Sequence, residues 1–154
     1  GHIPFNTTNY LGSILSKFVG KNNSGDIVNE NNVPIYRYAD VLLLLAEAKN
    51  NLGEDPSAEI NQVRARAYGS NYNAATYGYT NSTKAINAKA ILDERYKEFI
   101  GEGKRWWDLL RAGDNFVYDE VASMTSGGTR KNIYLPISPS MIADDKTLVQ
   151  TEGY

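Results

Sequence analysis

Apolar residues recur at helical spacing along two neighbouring segments in the first half of the chain. The first, at about residues 36–52, is apolar nearly all round from Val41 to Ala46, which predicts a helix buried on several sides. Gly53 then supplies a residue that commonly ends a helix. Asp55 and Pro56 are typical of an N-cap and a first turn, so they predict the start of a second helix. Because the connection is short, the two helices are predicted to form an antiparallel hairpin.

The hydrophobic pattern predicts two further helices in the second half of the chain. A third helix is predicted from about Lys84 to Ile100. Its predicted inward stripe consists of Ala85, Ala88, Leu92, Tyr96 and Phe99. Gly101 and Gly103 interrupt the pattern, and a short fourth helix is predicted from about residue 104 to 112. Residues 116–124 are expected to add one or two helical turns.

Polar and turn-forming residues occupy the segments between these helices. Residues 1–35 are rich in Asn, Gly and Ser and predict an irregular lead-in with at most weak extended structure. Residues 70–82 predict a polar loop that carries tyrosines, and residues 125–131 predict a flexible loop. Residues 133–137 are expected to be extended, and Pro136 restricts them to an edge strand. The predicted fold class is therefore mainly α, built from helix hairpins with long loops.

Composition and charge narrow the possible functions. A length of 154 residues predicts about one domain, in which residues 36–154 form the helical region. The 16 basic and 18 acidic residues give a net charge of −2 without a clustered basic face, which argues against a nucleic-acid partner. Cysteine is absent and His2 is the single histidine, which argues against a zinc or copper site. A calcium site with oxygen ligands stays open, although no carboxylate loop of the known spacing occurs; no metal-binding residue and no cofactor are predicted. No apolar run approaches the roughly 20 residues that a membrane span requires.

The segment from Glu94 to Asp114 carries most of the charged candidates. Glu94, Glu98 and Glu102 lie four residues apart, so a continuous helix would place them on one face. A glycosidase needs two carboxylates about 5–10 Å apart across a sugar-sized cleft, and neighbours on one helix face rarely flank a substrate. We therefore favour structural ion pairs, to which arginines of the same segment and Arg64 and Arg66 contribute. The predicted set of ion-pair residues is Glu94, Arg95, Glu98, Glu102, Arg105, Asp108 and Arg111, and no catalytic residue is assigned.

Aromatic residues are the candidates for contact with a sugar. Trp106 and Trp107 point about 100° apart on a helix, and at least one of them is expected to pack in the core with Leu109 and Leu110. Tyrosine and asparagine side chains in the 70–82 loop supply a stacking plane and amide hydrogen bonds, which suit a neutral, hydroxyl-rich ligand. The predicted ligand-binding residues are Tyr72, Tyr77, Tyr79 and Asn81. The alternative is that this loop is only a connector.

Several ordered blocks of the sequence resemble the C-terminal signature region of SusD/RagB proteins. The blocks are PIYRYADVLL at 34–43, AEA at 46–48, NQVRARA at 61–67, Glu94-Arg95, Glu98-Phe99, Glu102-Gly103, RWWDL at 105–109, Arg111, LPI at 135–137 and the closing residues 150–154. They follow one another in order over roughly residues 34–154. The chain is therefore similar to this family along most of its length.

The resemblance implies an outer-membrane lipoprotein of Gram-negative bacteria that captures glycans at the cell surface without catalysis. Such a protein passes its glycan to a SusC-like TonB-dependent transporter. The resemblance also implies a scaffold of tetratricopeptide-like hairpins. This chain would be the C-terminal part of a longer protein, and the lipid-bearing N-terminus would lie outside it.

Two rival hypotheses belong to other functional classes. A tetratricopeptide-like adaptor that binds peptides would require repeated hairpins of about 34 residues, and a single hairpin is recognised. A glycoside hydrolase would use Glu94 and Glu98 as its two carboxylates.

Overall fold

The computed structural model describes residues 17–28, 32, 34–126, 129–130, 132–152 and 154, and the chain is mainly helical over these residues. The helices are α1 (Tyr38–Leu52), α2 (Ser57–Tyr68), α3 (Ala74–Tyr77), α4 (Lys84–Glu98), α5 (Arg105–Ala112), α6 (Asp114–Glu120) and α7 (Pro139–Asp144). Two antiparallel strand pairs join β1 (Gly20–Lys21) to β2 (Ile27–Val28) and β3 (Thr125–Ser126) to β4 (Thr129–Arg130). Short 3-10 turns lie at Gly69–Asn71 and Ala122–Met124. The predicted mainly α fold class is confirmed.

The first two helices form the predicted hairpin. Gly53 follows α1 with a φ of 81°, in the left-handed region, and its N–H donates to the carbonyl of Asn50. The Asp55 carboxylate accepts a 2.7 Å hydrogen bond from the N–H of Ser57, the first residue of α2. Pro56 is fully buried between the two helices' ends. Gly53, Asp55 and Pro56 therefore form the turn in which the chain reverses direction between α1 and α2.

The core lies where α1, α2 and α4 meet. Leu43 of α1, Ile60 of α2 and Ile91 of α4 are among the largest fully buried side chains. The buried cluster consists of Ala39, Leu42, Leu43, Ala46, Ile60, Val63, Ile91 and Phe99. This contact fixes the position of the C-terminal half of α4, which carries most of the charged candidates.

The prediction that α1 is buried on several sides is wrong for one face. Leu42, Leu43 and Ala46 are buried, whereas Val41 and Leu45 are exposed. The reason is that α2 and α4 pack on one side of α1 and leave Val41 and Leu45 exposed. The helix begins at Tyr38, two residues later than predicted.

The predicted inward stripe of α4 is also partly wrong. Leu92 and Phe99 are buried as predicted, but Ala85 and Tyr96 are exposed. The buried side chains on this helix are Asn87, Ile91, Leu92, Glu94 and Arg95. Because the fold supplies partners for these polar groups, hydrophobicity alone does not mark the inward face of α4.

Two glycines separate α4 from α5. Gly101 and Gly103 have φ values of 80° and 72°, a backbone region that other residues rarely adopt. The turn sends α5 back toward α4 and brings Leu109 into the core. α6 follows α5 and buries Val117, in the region where one or two helical turns were predicted.

The remaining segments differ from the sequence predictions in several places. The described part of the 125–131 loop pairs as β3 and β4, while residues 127, 128 and 131 lie outside the described residues. The 133–137 segment forms no strand within the described part of the chain; the Gln150 side chain bonds the backbone N–H and carbonyl of Ile137 at 2.8 and 3.0 Å. The helix α7 was not predicted. Of the predicted irregular lead-in, residues 1–16, 29–31 and 33 lie outside the description.

Candidate functional site

The C-terminal half of α4 presents two glutamates to arginines of α2. Glu94 Oε2 accepts a 2.8 Å hydrogen bond from Arg64 Nε. Glu98 Oε1 accepts from Arg66 and also from Arg37, the residue before α1. The side chains of Glu94 and Glu98 are each 8% exposed. These two carboxylates therefore join α4 to α2 across a closed helix contact.

Glu102, just beyond α4, is clasped by two basic side chains. Arg37 donates to both Glu102 oxygens from Nε, each at 3.1 Å, and Lys17 forms an ion pair with the same carboxylate. Arg37 and Lys17 also donate to the Glu98 carbonyl at the end of α4, at 2.5 and 2.6 Å. Cations at the C-terminal carbonyls of a helix are favourable because of the helix dipole. We call Lys17, Arg37 and Glu102 the clasp.

The clasp shifts the pKa values of its members. Burial alone would raise the pKa of Glu102, but hydrogen bonds from Arg37 and Lys17 outweigh it and hold that pKa below its usual value. Burial likewise opposes the charge on Arg37, and the hydrogen bonds to Glu102 and Glu98 outweigh it, so the pKa of Arg37 is raised. The charged forms of both partners are thus favoured together.

Arg95 forms the centre of a second, more deeply buried charge network. Its side chain is 3% exposed, with Nη2 at 3.2 Å from Asp40 Oδ1 and Nε at 2.8 Å from Asp108 Oδ2. Lys104 Nζ lies 3.0 Å from the other Asp40 oxygen. The Arg95 guanidinium also sits 4.8 Å from the centre of the Phe99 ring. This network joins α1, α4 and α5.

The remaining two arginines of the predicted set lie nearer the surface. Arg111 donates to both oxygens of Glu47 at 2.8 Å, in a bidentate pair, and to Asp108 at 3.1 Å. The Glu47 hydrogen bonds outweigh burial and raise the pKa of Arg111. Arg105 donates to Glu120 and to the Leu92 carbonyl, both at 2.9 Å. These bonds tie α5 to α1, α4 and α6.

Arg64 and Arg66 contact glutamates of α4, whereas the three arginines of the segment itself contact none of Glu94, Glu98 and Glu102. Arg95 and Arg111 pair with Asp108 of the same segment, and their other acidic partners and that of Arg105 lie outside it. Adjacent residues on a helix do not face each other, so an arginine beside a glutamate in sequence points elsewhere. The partners missed from the sequence are Lys17, Arg37, Asp40, Glu47, Lys104 and Glu120. Arg37 and Asp40 belong to the block at residues 34–43 that resembles the family, but only the tertiary fold brings them close to their partners.

This arrangement suits a scaffold better than a hydrolytic site. Glu94 and Glu98 face arginines across a helix contact, whereas a glycosidase places its two carboxyl groups on either side of the scissile bond. No group of three or more His, Asp or Glu side chains suited to a metal ion occurs among the residues that the structure describes. Within the same residues, no helix is long and apolar enough to cross a membrane.

Tyr79 and Asn81, two of the four predicted ligand-binding residues, are engaged in internal contacts. The Tyr79 hydroxyl donates to Asn87 Oδ1 at 2.7 Å, and the Tyr79 ring packs against the core. The Asn61 amide holds the Tyr79 backbone with bonds of 2.6 and 2.9 Å. Asn81 Oδ1 accepts a 2.9 Å bond from Asn87 Nδ2. Burial raises the pKa of the Tyr79 phenol, with Arg64 opposing, as expected for a packed ring.

Tyr77, which is exposed, and Tyr72, which is half-buried, lie beside a third tyrosine. Tyr77 stacks on Tyr68 with ring centres 4.2 Å apart and planes 16° apart. Tyr72 lies 6.5 Å from Tyr68 at a tilt of 38°. The Tyr77 carbonyl accepts a 2.9 Å bond from Arg64 Nη1, which holds the short helix α3 in place. We call Tyr68, Tyr72 and Tyr77 the tyrosine cluster; Tyr68 was missed because it belongs to α2, outside the predicted loop.

The two tryptophans differ in exposure. Trp106 is half-buried and lines a cavity beside Arg95 and Phe99. Trp107 is 66% exposed. It borders a neighbouring cavity of about 220 Å³ together with Tyr36 and Leu44. Only Trp106 therefore approaches the core placement predicted for at least one of them.

The fold and the contacts together define a helical protein in which the charged motif residues join helices. The SusD family model matches residues 4–154, and the chain belongs to the SusD family. The SusD-like protein P38 of Formosa agariphila is 34% identical over 147 residues, which cover 91% of this chain and 28% of that protein. The starch-binding protein SusD of Bacteroides thetaiotaomicron is 28% identical over 131 residues, which cover 81% of this chain and 22% of that protein.

Solved structures agree with this assignment. Bacteroides fragilis NanU is 38% identical with a TM-score of 0.64, over 88% of this chain and 34% of that chain. A SusD superfamily protein from Bacteroides fragilis is 34% identical with a TM-score of 0.66, over 86% of this chain and 30% of that chain. The chain spans about a quarter of the length of the curated relatives it matches.

Proposed function

We propose that this chain is the C-terminal part of a non-catalytic glycan-binding protein of the cell surface. The observation that carries the proposal is the match to the SusD family over residues 4–154, together with a relative named as a starch-binding protein. The ion pairs of α4 support the non-catalytic part of the proposal, because both candidate carboxylates are committed to helix contacts.

The tyrosine cluster is the proposed glycan contact within this chain. A tyrosine ring offers a flat apolar face to the C–H groups of a sugar and a hydroxyl for a hydrogen bond. Stacking on Tyr68 holds Tyr77 in place, so less conformational freedom is lost when a sugar binds. Tyr79 and Asn81 then support the loop from below rather than touching the ligand.

The test measures the affinity of the protein for a panel of neutral oligosaccharides by calorimetry. Tyr77→Ala is expected to weaken binding about three- to tenfold, the scale of one aromatic contact, with little change in Tm. Tyr134→Ala removes another exposed tyrosine and is the matched control, expected to bind as the unmodified protein does. Unchanged affinity in Tyr77→Ala would assign the glycan contact to residues outside the cluster.

The hydrolase alternative is tested on the same panel. Incubation with each glycan, followed by assay for new reducing ends, is expected to show none above the level of a buffer control. Release that disappears in both Glu94→Gln and Glu98→Gln would contradict the non-catalytic assignment.

A more specific part of the proposal is that the protein delivers its glycan to a SusC-like TonB-dependent transporter at the outer membrane. Membership of the SusD family supports this part. Affinity purification of the protein from detergent-solubilised outer membranes is expected to recover a large β-barrel transporter encoded beside it. Recovery without any such barrel, from membranes in which the barrel is detected, would contradict it.

A further inference from the structure

The short helix α3 carries Tyr77 but has little packing of its own. It is four residues long and none of its side chains is buried. The Asn73 side chain caps its first turn by accepting a 2.9 Å hydrogen bond from the Ala75 N–H. A helix of this length is not stable in isolation. The position of Tyr77 therefore depends on contacts that other elements make with α3 and its flanks.

One face of α2 makes those contacts. Asn61, Arg64 and Tyr68 lie three and four residues apart, so they share a face of the helix. The Asn61 amide bonds the Tyr79 backbone. Arg64 Nη1 donates to the Tyr77 carbonyl at 2.9 Å, and the Tyr68 ring stacks on the Tyr77 ring. We call Asn61, Arg64 and Tyr68 the support face of α2.

Arg64 differs from the other two residues of the support face because it is also bonded to α4. Its Nε donates to Glu94 Oε2 at 2.8 Å while its Nη1 reaches the Tyr77 carbonyl. The Arg64 guanidinium also lies 5.7 Å from the centre of the Tyr79 ring. A guanidinium is planar and rigid, so fixing one nitrogen fixes the direction of the others. Arg64 thereby ties the position of α3 to that of α4.

We propose that Arg64 is the positioning residue of the glycan contact: held by Glu94, it fixes the Tyr77 backbone, so that the ring has its binding orientation before the ligand arrives. The inference rests on the proposed role of the tyrosine cluster. Ordering one side chain on binding lowers affinity about two- to tenfold, and a ring that is held beforehand avoids this loss. The Arg64 side chain is only 19% exposed, so it acts through Tyr77 rather than by touching the sugar.

The test replaces Arg64 by lysine. Arg64→Lys keeps a positive charge beside Glu94, so the variant is expected to fold. Its single nitrogen cannot hold Glu94 and the Tyr77 carbonyl in the geometry of a guanidinium. Arg66→Lys, two positions further along α2, is the matched control, because Arg66 donates to Glu98 rather than to the 70–82 loop.

The first measurement needs no glycan. The N–H groups of Tyr77 and Gly78 donate to carbonyls of the preceding turn at 2.8 and 2.9 Å. Their hydrogen exchange, followed by NMR, is expected to be about two- to tenfold faster in Arg64→Lys, because one contact that holds α3 is lost. In Arg66→Lys these two groups are expected to exchange as they do in the unmodified protein.

The second measurement is affinity for the panel of neutral oligosaccharides, by calorimetry. Arg64→Lys is expected to weaken binding about two- to tenfold, and Arg66→Lys to leave it unchanged. In a Tyr77→Ala background, Arg64→Lys is expected to cause no further loss. The reason is that a residue acting through the Tyr77 ring has no effect on binding once that ring is gone.

Three results would overturn the positioning role. The first is unchanged exchange at residues 77 and 78 in Arg64→Lys. The second is a further loss of affinity from Arg64→Lys in the Tyr77→Ala background, which would assign Arg64 to a direct contact with the sugar. The third is unchanged affinity of Arg64→Lys beside weakened binding by Tyr77→Ala. Unchanged affinity of Tyr77→Ala would instead overturn the proposed glycan contact itself, so the two failures are distinguishable.

Discussion

The two ends of α4 bury polar side chains by different means. Near its start, Asn87 is neutral and is surrounded by fixed donors and acceptors. It accepts from the Tyr79 hydroxyl and the Ser82 N–H at 2.7 and 3.0 Å, and it donates to Asn50 and Asn81 at 3.1 and 2.9 Å. Amides do not titrate in the range of pH in which proteins fold, so this end of the helix has one protonation state.

Toward its end, α4 buries charges instead. Glu94, Arg95 and Glu98 are each matched by an opposite charge from α1, α2, α5 or the segment before α1. Removing one partner from such a network leaves a charge without compensation, which costs more than removing one side of a neutral hydrogen bond. The two ends of α4 both bury polar side chains, but we expect them to respond differently to mutation and to acid.

The largest expected loss of stability comes from removing Arg95, the centre of the charge network near the end of α4. Arg95→Ala leaves Asp40 and Asp108 buried with fewer cations, and the expected loss of unfolding free energy is about 3–5 kcal/mol. Urea unfolding followed by circular dichroism measures it. Lys89→Ala, which removes two surface ion pairs, is the control and is expected to change stability little. A loss for Arg95→Ala no larger than that of the control would show that the buried network is not needed.

An intermediate effect is expected at the neutral end. Asn87→Ala leaves the Tyr79 hydroxyl and the Asn50 amide with fewer partners, at an expected cost of about 1–3 kcal/mol. Because no titrating group is removed, the loss of unfolding free energy relative to the unmodified protein should be the same at pH 7 and at pH 4. Urea unfolding midpoints measured at both pH values check this. A difference that changes with pH would mean that the amide end is coupled to the ion pairs.

The smallest effect is expected from acid at the clasp. The lowered pKa of Glu102 means that its contribution to stability is complete above the usual value of about 4.3 and is lost as pH falls through the lowered value. Glu102→Gln lacks this contribution at every pH. The stability difference between the two proteins should therefore be largest near pH 7 and shrink below about pH 4.3. A difference that stays constant down to pH 3 would contradict the clasp as an ionic contact.

Local signals account for what the sequence predicted well, and distant partners account for what it did not. Gly53, Asp55 and Pro56 act on their immediate neighbours, so the hairpin could be placed without knowledge of the fold. The inward face of α4 could not be predicted, because Arg95 is buried beside Asp40 and Asp108, which lie in two other helices. Hydropathy ranks such residues as exposed whatever their partners.

The prediction of the candidate glycan site was limited in the same way. The composition of the 70–82 loop indicated tyrosines and amides suited to sugars, but ring orientation depends on contacts made outside the loop. Asn61 of α2 fixes the backbone of Tyr79 and turns that ring inward, while Tyr68 of α2 supports Tyr77 at the surface. The use of Tyr72 and Tyr77 in glycan binding stays a prediction.

The clasp joins the segment before α1 to the far end of α4. Lys17 and Arg37 lie ahead of α1 in sequence, yet both contact the Glu98 carbonyl and the Glu102 carboxylate. Two residues that are twenty positions apart in sequence therefore meet at one carboxylate. Loss of that single carboxylate would remove an anchor from both of them at once.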